Sequence, residues 1–261
     1  MPPFHCDMRP GVRLAGLIDG PLRPLRPTGV LWLGGYRSDM TGTKAQTLAR
    51  HAARQGRWAV RFDYSGHGAS SGAFADATIT DWLAETIAVF ERHTSGPQVV
   101  VGSSMGGWLA LLLARHLAAT ASRRLAGLVL IAPAADMTED LMWNLWSEEI
   151  RGEIMEKGAL ERPSAYGDEP YLITRALIED GRRHLVLPAG LTVSCPVSIL
   201  QGDADPDVPP AHARRVYEAL TGDDIALTLV KGGDHRLSTP RDLALLTATV
   251  SALWARAEAD A

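Results

Sequence analysis

The stretch VVVGSSMGGWLALLLARHL, residues 99–117, is the most informative part of the sequence for predicting the fold. Three β-branched residues are followed by a turn rich in glycine and serine and then by a long apolar run, which is the order of a buried strand, a tight turn and a buried helix. In the turn, Ser104 has glycine two residues before it and two residues after it, whereas Ser103 lies between Val101 and Met105 at those positions. The pattern G-x-S-x-G describes a sharp strand-to-helix turn that exposes a nucleophilic serine. Ser104 is therefore the candidate nucleophile.

The same pattern occurs a second time, at Gly68-Ala69-Ser70-Ser71-Gly72. No β-rich run enters this second pentapeptide and no helical pattern follows it directly, so we interpret it as a loop. The alternative for residues 102–106 is a helix start rich in glycine and serine that packs without taking part in chemistry. Context favours the pentapeptide at 102–106 as the nucleophile turn.

Short β-rich runs alternate with helical patterns along most of the chain, which is typical of a parallel sheet with helices on both faces. Residues 78–93 and a final helix beginning at Thr239 and Pro240 each place apolar side chains on one face. Residues 11–19 precede the first possible crossover, and we predict them as an antiparallel edge strand. The remaining predicted strands are residues 29–35, 58–64, 99–103, 125–133, 196–202 and 225–233.

One segment interrupts this alternation, and we predict it to be a helical cap inserted late in a single domain of residues 1–261. The cap spans approximately residues 134–190, which show helical patterns but no convincing strand. Met142, Trp146, Ile150 and Ile154 recur every four residues within it. Such a stripe is more often the packing face of the cap than a wall that binds an acyl chain, and the sequence leaves both interpretations open.

A serine hydroxyl needs a general base, and the base needs a carboxylate that fixes its tautomer. In this class of fold, the acid and then the histidine follow the serine along the chain. His235 follows the last predicted strand and is the candidate base, whereas His212 lies in a first helical turn, where an exposed surface residue is usual. Of the three carboxylates after the strand at 196–202, Asp205 is favoured as the acid over Asp203 and Asp207, and Asp207 could cap the next helix.

Stabilisation of an oxyanion needs two backbone N–H groups, one after the nucleophile and one from the loop after an earlier strand. Met105 supplies the first. Tyr36 is the candidate for the second, because Gly34-Gly35 would let the backbone approach the substrate. The alternative is that these glycines only turn the chain.

Composition and charge exclude several functional classes. The 261 residues carry a formal net charge of -4, which is not the footprint of a nucleic-acid-binding protein. The longest apolar run is far shorter than a membrane span. Cys6 and Cys195 are too few for a disulfide framework or a zinc site, and no nucleotide or metal motif occurs, so we expect neither cofactor nor metal. The absence of a signal peptide favours a cytoplasmic protein, and the oligomeric state is left open.

Five segments together resemble the α/β-hydrolase-fold serine hydrolases. They are LGGYRSDMTGTKA, RFDYSGHGASSG, GSSMGGW, QGDADPDVP and GDHRLS. The likeness is greatest to a subfamily that contains a mitochondrial palmitoyl-protein thioesterase and acyl-glucuronide esterase and its bacterial relatives. The resemblance implies the same roles for Ser104, Asp205 and His235. Many relatives outside that subfamily have His-Gly at the position of Gly34-Gly35.

The leading hypothesis is a serine hydrolase that cleaves ester or thioester bonds of a small-molecule or acylated substrate through an acyl-enzyme. Two alternatives stay open. The same three residues could hydrolyse a carbon–carbon or peptide bond, or the chain could be a ligand-binding relative without catalytic activity.

Overall fold

The fold was analysed in a computed structural model that describes residues 3–162 and 171–259. Its strands are β1 (Pro3–Arg9), β2 (Val12–Asp19), β3 (Gly29–Leu33), β4 (Ala59–Phe62), β5 (Gln98–Ser103), β6 (Leu125–Ile131), β7 (Ala159–Arg162), β8 (Tyr171–Thr174), β9 (Leu191–Thr192), β10 (Val197–Gly202), β11 (Leu220–Thr221) and β12 (Ile225–Val230). Its α-helices are α1 (Thr43–Arg54), α2 (Ile79–His93), α3 (Met105–Ala119), α4 (Glu148–Lys157), α5 (Arg175–Gly181), α6 (Pro210–Ala219) and α7 (Pro240–Ala259).

Within the described residues, the largest sheet has eight strands in the order β1-β2-β4-β3-β5-β6-β10-β12. The pairs β1·β2 and β2·β4 are antiparallel, whereas the strands from β4 to β12 pair in parallel. Helices α1 and α7 cover one face, and α2, α3 and α6 cover the other. The mostly parallel α/β sheet predicted from the sequence is therefore confirmed.

The prediction that residues 11–19 form an antiparallel strand is confirmed, but the prediction that this strand lies at the edge of the sheet is wrong. These residues form β2, but β1 pairs with its outer side, with His5 opposite Ala15. The physical reason is that the segment before β2 alternates exposed and buried side chains, and Cys6 points into the core. The edge of the sheet is thus the N-terminal strand.

Two helices begin as their sequence signals indicate. At α2, the Asp81 amide donates to the Thr78 hydroxyl and the Thr78 amide donates to the Asp81 carboxylate, which forms a capping box. At α7, Thr239 and Asp242 exchange the same pair of hydrogen bonds. Helix α3 is buried on nearly all sides between the sheet and α2, because its apolar residues do not alternate with polar ones.

The segment at 134–190 differs from the helical cap that the sequence predicts. It contains a π-helical turn at Thr138–Met142, a 3₁₀ turn at Trp143–Leu145 and helices α4 and α5, but also the antiparallel pair β7·β8. The stripe with a spacing of four does not lie on one helix, because the helical path breaks at Trp146 and restarts at α4. Of its four residues only Ile154 is fully buried, while the other three pack partly buried against the core.

Hydrogen bonds connect the beginning of the 134–190 segment to its end. The carboxylate of buried Asp136 accepts hydrogen bonds from the amides of Val186 and Leu187, at 2.8 and 2.9 Å. Burial raises the pKa of Asp136, and these two backbone hydrogen bonds oppose that effect. The segment therefore leaves and rejoins the main sheet at neighbouring points.

Candidate active site

Ser104 occupies a strained turn between β5 and α3. Its backbone has φ 56° and ψ -119°, a conformation that L-residues with side chains rarely adopt. The turn brings backbone so close that a Cβ on Gly106 would lie 2.1 Å from the Leu33 carbonyl oxygen, and one on Gly102 would lie 2.2 Å from the Gly106 oxygen. The Ser104 amide donates to the Ile131 oxygen at 2.9 Å. Glycine at both positions is thus a steric requirement of this turn.

The structure brings together the three side chains that the sequence proposes as a triad. His235 Nε2 lies 3.1 Å from Ser104 Oγ, and His235 Nδ1 lies 2.9 Å from Asp205 Oδ2. His235 follows β12 and Asp205 follows β10, so each stands beyond the carboxyl end of a strand, as Ser104 does after β5. The contact joins residues 131 positions apart in the chain.

The Asp205 carboxylate is held by several donors besides His235. Its Oδ1 accepts from the Asp207 and Val208 amides, each at 2.9 Å, and its Oδ2 accepts from Gln201 Nε2 at 3.1 Å. Burial by itself would raise the pKa of Asp205, but the hydrogen bonds from His235, Val208 and Asp207 and the charge of His235 together hold that pKa below its usual value. The carboxylate is therefore ionised and oriented toward the imidazole.

The other two carboxylates of this loop belong to Asp203 and Asp207. Asp203 accepts from Lys231 Nζ at 2.8 Å and from the Gly232 amide at 2.6 Å, which ties the loop after β10 to the one after β12. Helix α6 has Pro209 at its N-cap position and no side-chain cap, so the expectation that Asp207 caps it is wrong. Proline at the first helical positions has no N–H that needs a cap.

The prediction that His212 is an exposed surface residue is also wrong. His212 is buried, and its Nε2 lies 2.9 Å from the Ala135 oxygen. Helix α6 packs over β10 and against the loop after β6, so its first turn faces the protein. Its role in the described structure is to join α6 to the start of the 134–190 segment.

Lys44 is a feature of this edge that the sequence signalled only through the run GTKA. Its Nζ donates to the carbonyl oxygen of Arg236, the residue after His235. Burial lowers the pKa of Lys44 to about 8, an effect that the carboxylate of Asp234 partly offsets. Asp234 in turn accepts from the Leu237 amide at 3.0 Å. These contacts fix the loop that carries the imidazole.

Of the two residues proposed for the oxyanion hole, Met105 follows Ser104 in the chain and Tyr36 follows Gly35, whose backbone approaches Ser104. Met105 is the first residue of α3, where amides have no partner within the helix, and its side chain is fully buried. Gly35 approaches so closely that a Cβ there would lie 3.3 Å from Ser104 Cβ. Tyr36 follows directly, and its hydroxyl donates to the Leu172 oxygen of β8 at 2.9 Å.

The second pentapeptide, residues 68–72, is a loop, as the sequence indicates. Ser70 Oγ accepts from the Ala15 amide at 2.9 Å and donates to the Asp63 oxygen at 2.6 Å. Ser71 Oγ accepts from the Arg13 amide at 2.8 Å. Both hydroxyls therefore serve to join this loop to β2.

A cavity of about 580 Å³ opens beside Ser104 and His235. The 134–190 segment supplies an apolar part of its wall, while the start of α1 and the loops after β3, β10 and β12 supply charged residues. The side chains from the 134–190 segment are Ala134, Met137, Leu141, Met142 and Ile173. The charged residues are Arg37, Asp39, Lys44, Asp207 and Arg236. The stripe residue Met142 thus does line the cavity, in addition to packing.

Asp205, Asp207 and His235 each place one possible metal-ligand atom within 4.8 Å of the others. In the structure, however, one carboxylate oxygen of Asp205 and one ring nitrogen of His235 are joined by a hydrogen bond, and the other ring nitrogen faces Ser104. The arrangement of these atoms is therefore that of a carboxylate that orients an imidazole toward a serine hydroxyl.

Comparison with known proteins assigns the chain to a family. Residues 30–180 match the family described as serine aminopeptidase, S33. The chain is 34% identical over 228 residues to the mouse palmitoyl-protein thioesterase ABHD10, covering 86% of this chain and 74% of that protein. The chain belongs to the α/β-hydrolase family. The relatives support hydrolysis of esters or thioesters by this α/β-hydrolase. They identify it as an enzyme and so argue against the alternative of a ligand-binding protein without activity.

Solved structures give the same assignment. A protein described as a hydrolase from Agrobacterium vitis has a TM-score of 0.90 and 47% identity, covering 96% of this α/β-hydrolase and 97% of its own chain. The structure of mouse α/β hydrolase domain-containing protein 10 has a TM-score of 0.87 and 30% identity, covering 98% and 99% respectively.

The comparisons correct one expectation. The mouse and human relatives are both named as mitochondrial proteins, which contradicts the cytoplasmic location inferred from the sequence. Among residues 3–162 and 171–259, no helix has the length and apolar character needed to span a bilayer.

Proposed function

We propose that this α/β-hydrolase cleaves acyl thioesters and esters through an acyl-enzyme on Ser104. The observation that carries the proposal is the chain of hydrogen bonds from Asp205 through His235 to the hydroxyl of Ser104, at 2.9 and 3.1 Å. His235 Nε2 accepts the hydroxyl proton as Ser104 attacks the acyl carbonyl, and Asp205 stabilises the imidazolium that forms. The imidazolium then protonates the leaving thiolate or alkoxide, and a water molecule activated by His235 releases the acid.

The amides of Tyr36 and Met105 bind the negative charge that develops on the carbonyl oxygen. Support comes from the contact of Gly35 with Ser104 and from the place of Met105 at the first position of α3, where the helix dipole favours negative charge. Backbone donors of this kind need no reorganisation during the reaction.

The substrate class is an extended acyl group on a thiol or alcohol. Met137, Leu141 and Met142 give the cavity beside Ser104 an apolar wall. Fully burying one methylene against such a wall contributes about 0.8 kcal/mol, or about a fourfold gain in kcat/KM. The mouse and human relatives are named palmitoyl-protein thioesterases, and these names support long-chain acyl thioesters as substrates of this chain.

The test is a series of acyl thioesters and matched esters of increasing chain length. We expect kcat/KM to rise with chain length until the cavity is filled. We expect Ser104→Ala to lose at least about 10³-fold in kcat for every substrate. Ser103→Ala is the matched control, since it changes the neighbouring hydroxyl and keeps the turn.

Wild-type turnover by Ser104→Ala would overturn the mechanism. Peptide substrates cleaved faster than every thioester and ester would instead favour the peptide-bond alternative, which uses the same side chains.

A further inference from the structure

The loop after β3, residues 34–40, carries the Tyr36 amide but begins with two glycines, so its first residues have no side chains with which to hold it. Its support comes from β4 and from the segment that follows it. Asp63 Oδ1 accepts from the Met40 amide at 2.6 Å, and Arg61 Nη1 donates to the Met40 oxygen at 2.7 Å. These contacts fix the far end of the loop.

His67 holds the near end. Its Nε2 accepts a hydrogen bond from the Arg37 amide at 3.1 Å, and its Nδ1 lies 3.1 Å from the Ser65 carbonyl oxygen. A carbonyl can only accept, so Nδ1 carries the proton and Nε2 is the acceptor. Arg37 has a φ of 55°, in the left-handed region that residues with side chains rarely adopt, and the bond from its amide to His67 holds this turn.

The imidazole of His67 is itself rigidly placed. It is buried, and its ring centroid lies 5.1 Å from that of Phe74 and 5.3 Å from that of Trp82. The Ser65 peptide that it binds is fixed in turn, because its amide donates to Glu85 Oε2 at 2.9 Å and its oxygen accepts from Trp82 Nε1 at 3.3 Å.

The same aromatic side chains also contact Tyr36. Its ring meets Phe74 edge-on, with centroids 4.9 Å apart, and Trp82 with centroids 6.0 Å apart. The residue that carries the proposed oxyanion donor is therefore held through its ring on one side and through the following amide on the other. Burial lowers the pKa of His67 to about 4, the bond to Ser65 opposes this and Arg37 adds to it, so the ring is neutral and able to accept near neutral pH.

From this geometry we propose that His67 is a positioning residue that orients the Tyr36 amide toward the carbonyl oxygen under attack. The proposal rests on the proposed function, since it needs an oxyanion at that place. It assigns to the GHG part of the RFDYSGHG segment the side-chain support that the paired glycines cannot give. His67 does not line the cavity in the described residues and so acts through Arg37 and Tyr36.

A residue that positions the oxyanion donor and a residue that only stabilises the fold affect different measured quantities when they are substituted. An oxyanion donor binds the transition state more tightly than the substrate, so its displacement lowers kcat and leaves KM nearly unchanged. It also weakens an inhibitor whose tetrahedral adduct carries an oxyanion. A residue that only stabilises the fold would lower the melting temperature without producing this pattern.

The test compares three variants with the wild-type protein, using one thioester substrate and an alkyl trifluoromethyl ketone as the transition-state analogue. His67→Phe keeps a ring among the aromatic side chains but has no acceptor. His67→Gln keeps a carbonyl near the Nε2 position and should recover most of the lost rate. His67→Asn keeps a donor for Ser65 but does not reach Arg37, so it serves in place of His67→Phe if that variant does not fold.

For His67→Phe or His67→Asn we expect kcat to fall by about 10- to 100-fold, the inhibition constant of the ketone to rise by a similar factor, and KM to change little. An unchanged kcat in a folded variant, or a loss that appears in KM alone, would overturn the proposal. Ser104→Ala in the same assay separates the two proposals. If it keeps wild-type turnover, the proposed function fails; if it is inactive while His67→Phe is fully active, only the role of His67 fails.

Discussion

Two segments of this chain share the pattern G-x-S-x-G and differ in structure. In residues 102–106, the strand β5 runs into α3, the serine backbone has φ 56°, and Ser104 Oγ faces His235. In residues 68–72, both serine hydroxyls bind backbone groups of β2 or of Asp63. The pattern by itself therefore describes only a turn rich in small residues. The side chains that other strand ends bring to this turn determine whether its serine can react.

The largest loss of activity is expected on substitution of the side chains that contact Ser104 directly or through His235, which the segment at 68–72 lacks. Asp205→Asn should lower kcat by about 10⁴-fold, because an amide cannot stabilise the imidazolium and favours the wrong tautomer of His235. The measurement is steady-state kinetics with a thioester. Asp203→Asn is the matched control, because Asp203 lies on the same loop and binds Lys231 instead. Equal losses in both variants would contradict the assignment of the acid.

The last glycines of the two segments, Gly106 and Gly72, should differ as well. A Cβ on Gly106 would lie 2.1 Å from the backbone oxygen of Leu33, whereas a Cβ on Gly72 would have no neighbour closer than 3.4 Å. Gly106→Ala should therefore lower the free energy of unfolding by about 3 kcal/mol or more. Gly72→Ala should cost about 1 to 2 kcal/mol, through its positive φ alone. Urea denaturation measures the free energy of unfolding of both variants. A loss for Gly106→Ala that is no larger than the loss for Gly72→Ala would contradict the expected difference between the two turns.

The loop around residues 68–72 depends on a buried carboxyl group. Burial raises the pKa of Glu85 to about 7, although hydrogen bonds from Ser65 and the charge of Arg9 lower it. The pKa of Glu85 is higher in the folded protein than in the unfolded chain. Its contribution to the free energy of unfolding is therefore fully present below about pH 4.5 and is lost as the pH rises through 7.

Glu85→Gln should remove that dependence. Relative to this variant, the wild-type protein should lose about 2 to 3 kcal/mol of unfolding free energy between about pH 4.5 and 7. Parallel urea titrations across this range give the result, and identical pH profiles for the two proteins would refute it.

The smallest effect is expected at the second serine. Ser70→Ala removes the acceptor of the Ala15 amide and should cost about 1 to 2 kcal/mol of unfolding free energy. The kcat with a thioester should stay at the wild-type value, because Ser70 is bound to β2 and to Asp63 rather than facing the cavity. A loss of activity as large as that of Ser104→Ala would contradict the distinction between the two segments.

The elements that position the site could be predicted from the sequence because local patterns determine them. The β-branched run before Gly102 and the apolar run after Gly106 mark β5 and α3 without reference to other segments. The ends of strands could not be predicted to the residue: the run at 225–233 forms a strand only to Val230, because the chain turns at Gly232, which has a positive φ.

Features that depend on contacts between distant segments could not be predicted. Lys44 and Arg236 are 192 residues apart, and nothing in either neighbourhood indicates that they meet. The burial of His212 depends on how α6 packs, and the acceptor role of His67 depends on the loop that crosses it. The positions of Asp205 and His235 could be proposed because each follows a strand whose end lies at the same edge of the sheet.

The most direct test of the account is the site of covalent labelling. The protein is incubated with a fluorophosphonate, its intact mass is measured, and the labelled peptide is identified after digestion. We predict one adduct per chain, located on Ser104 and absent from Ser104→Ala, with Ser70 and Ser71 unlabelled. A folded, catalytically active protein that carries the adduct on another residue, or that carries no adduct, would contradict it.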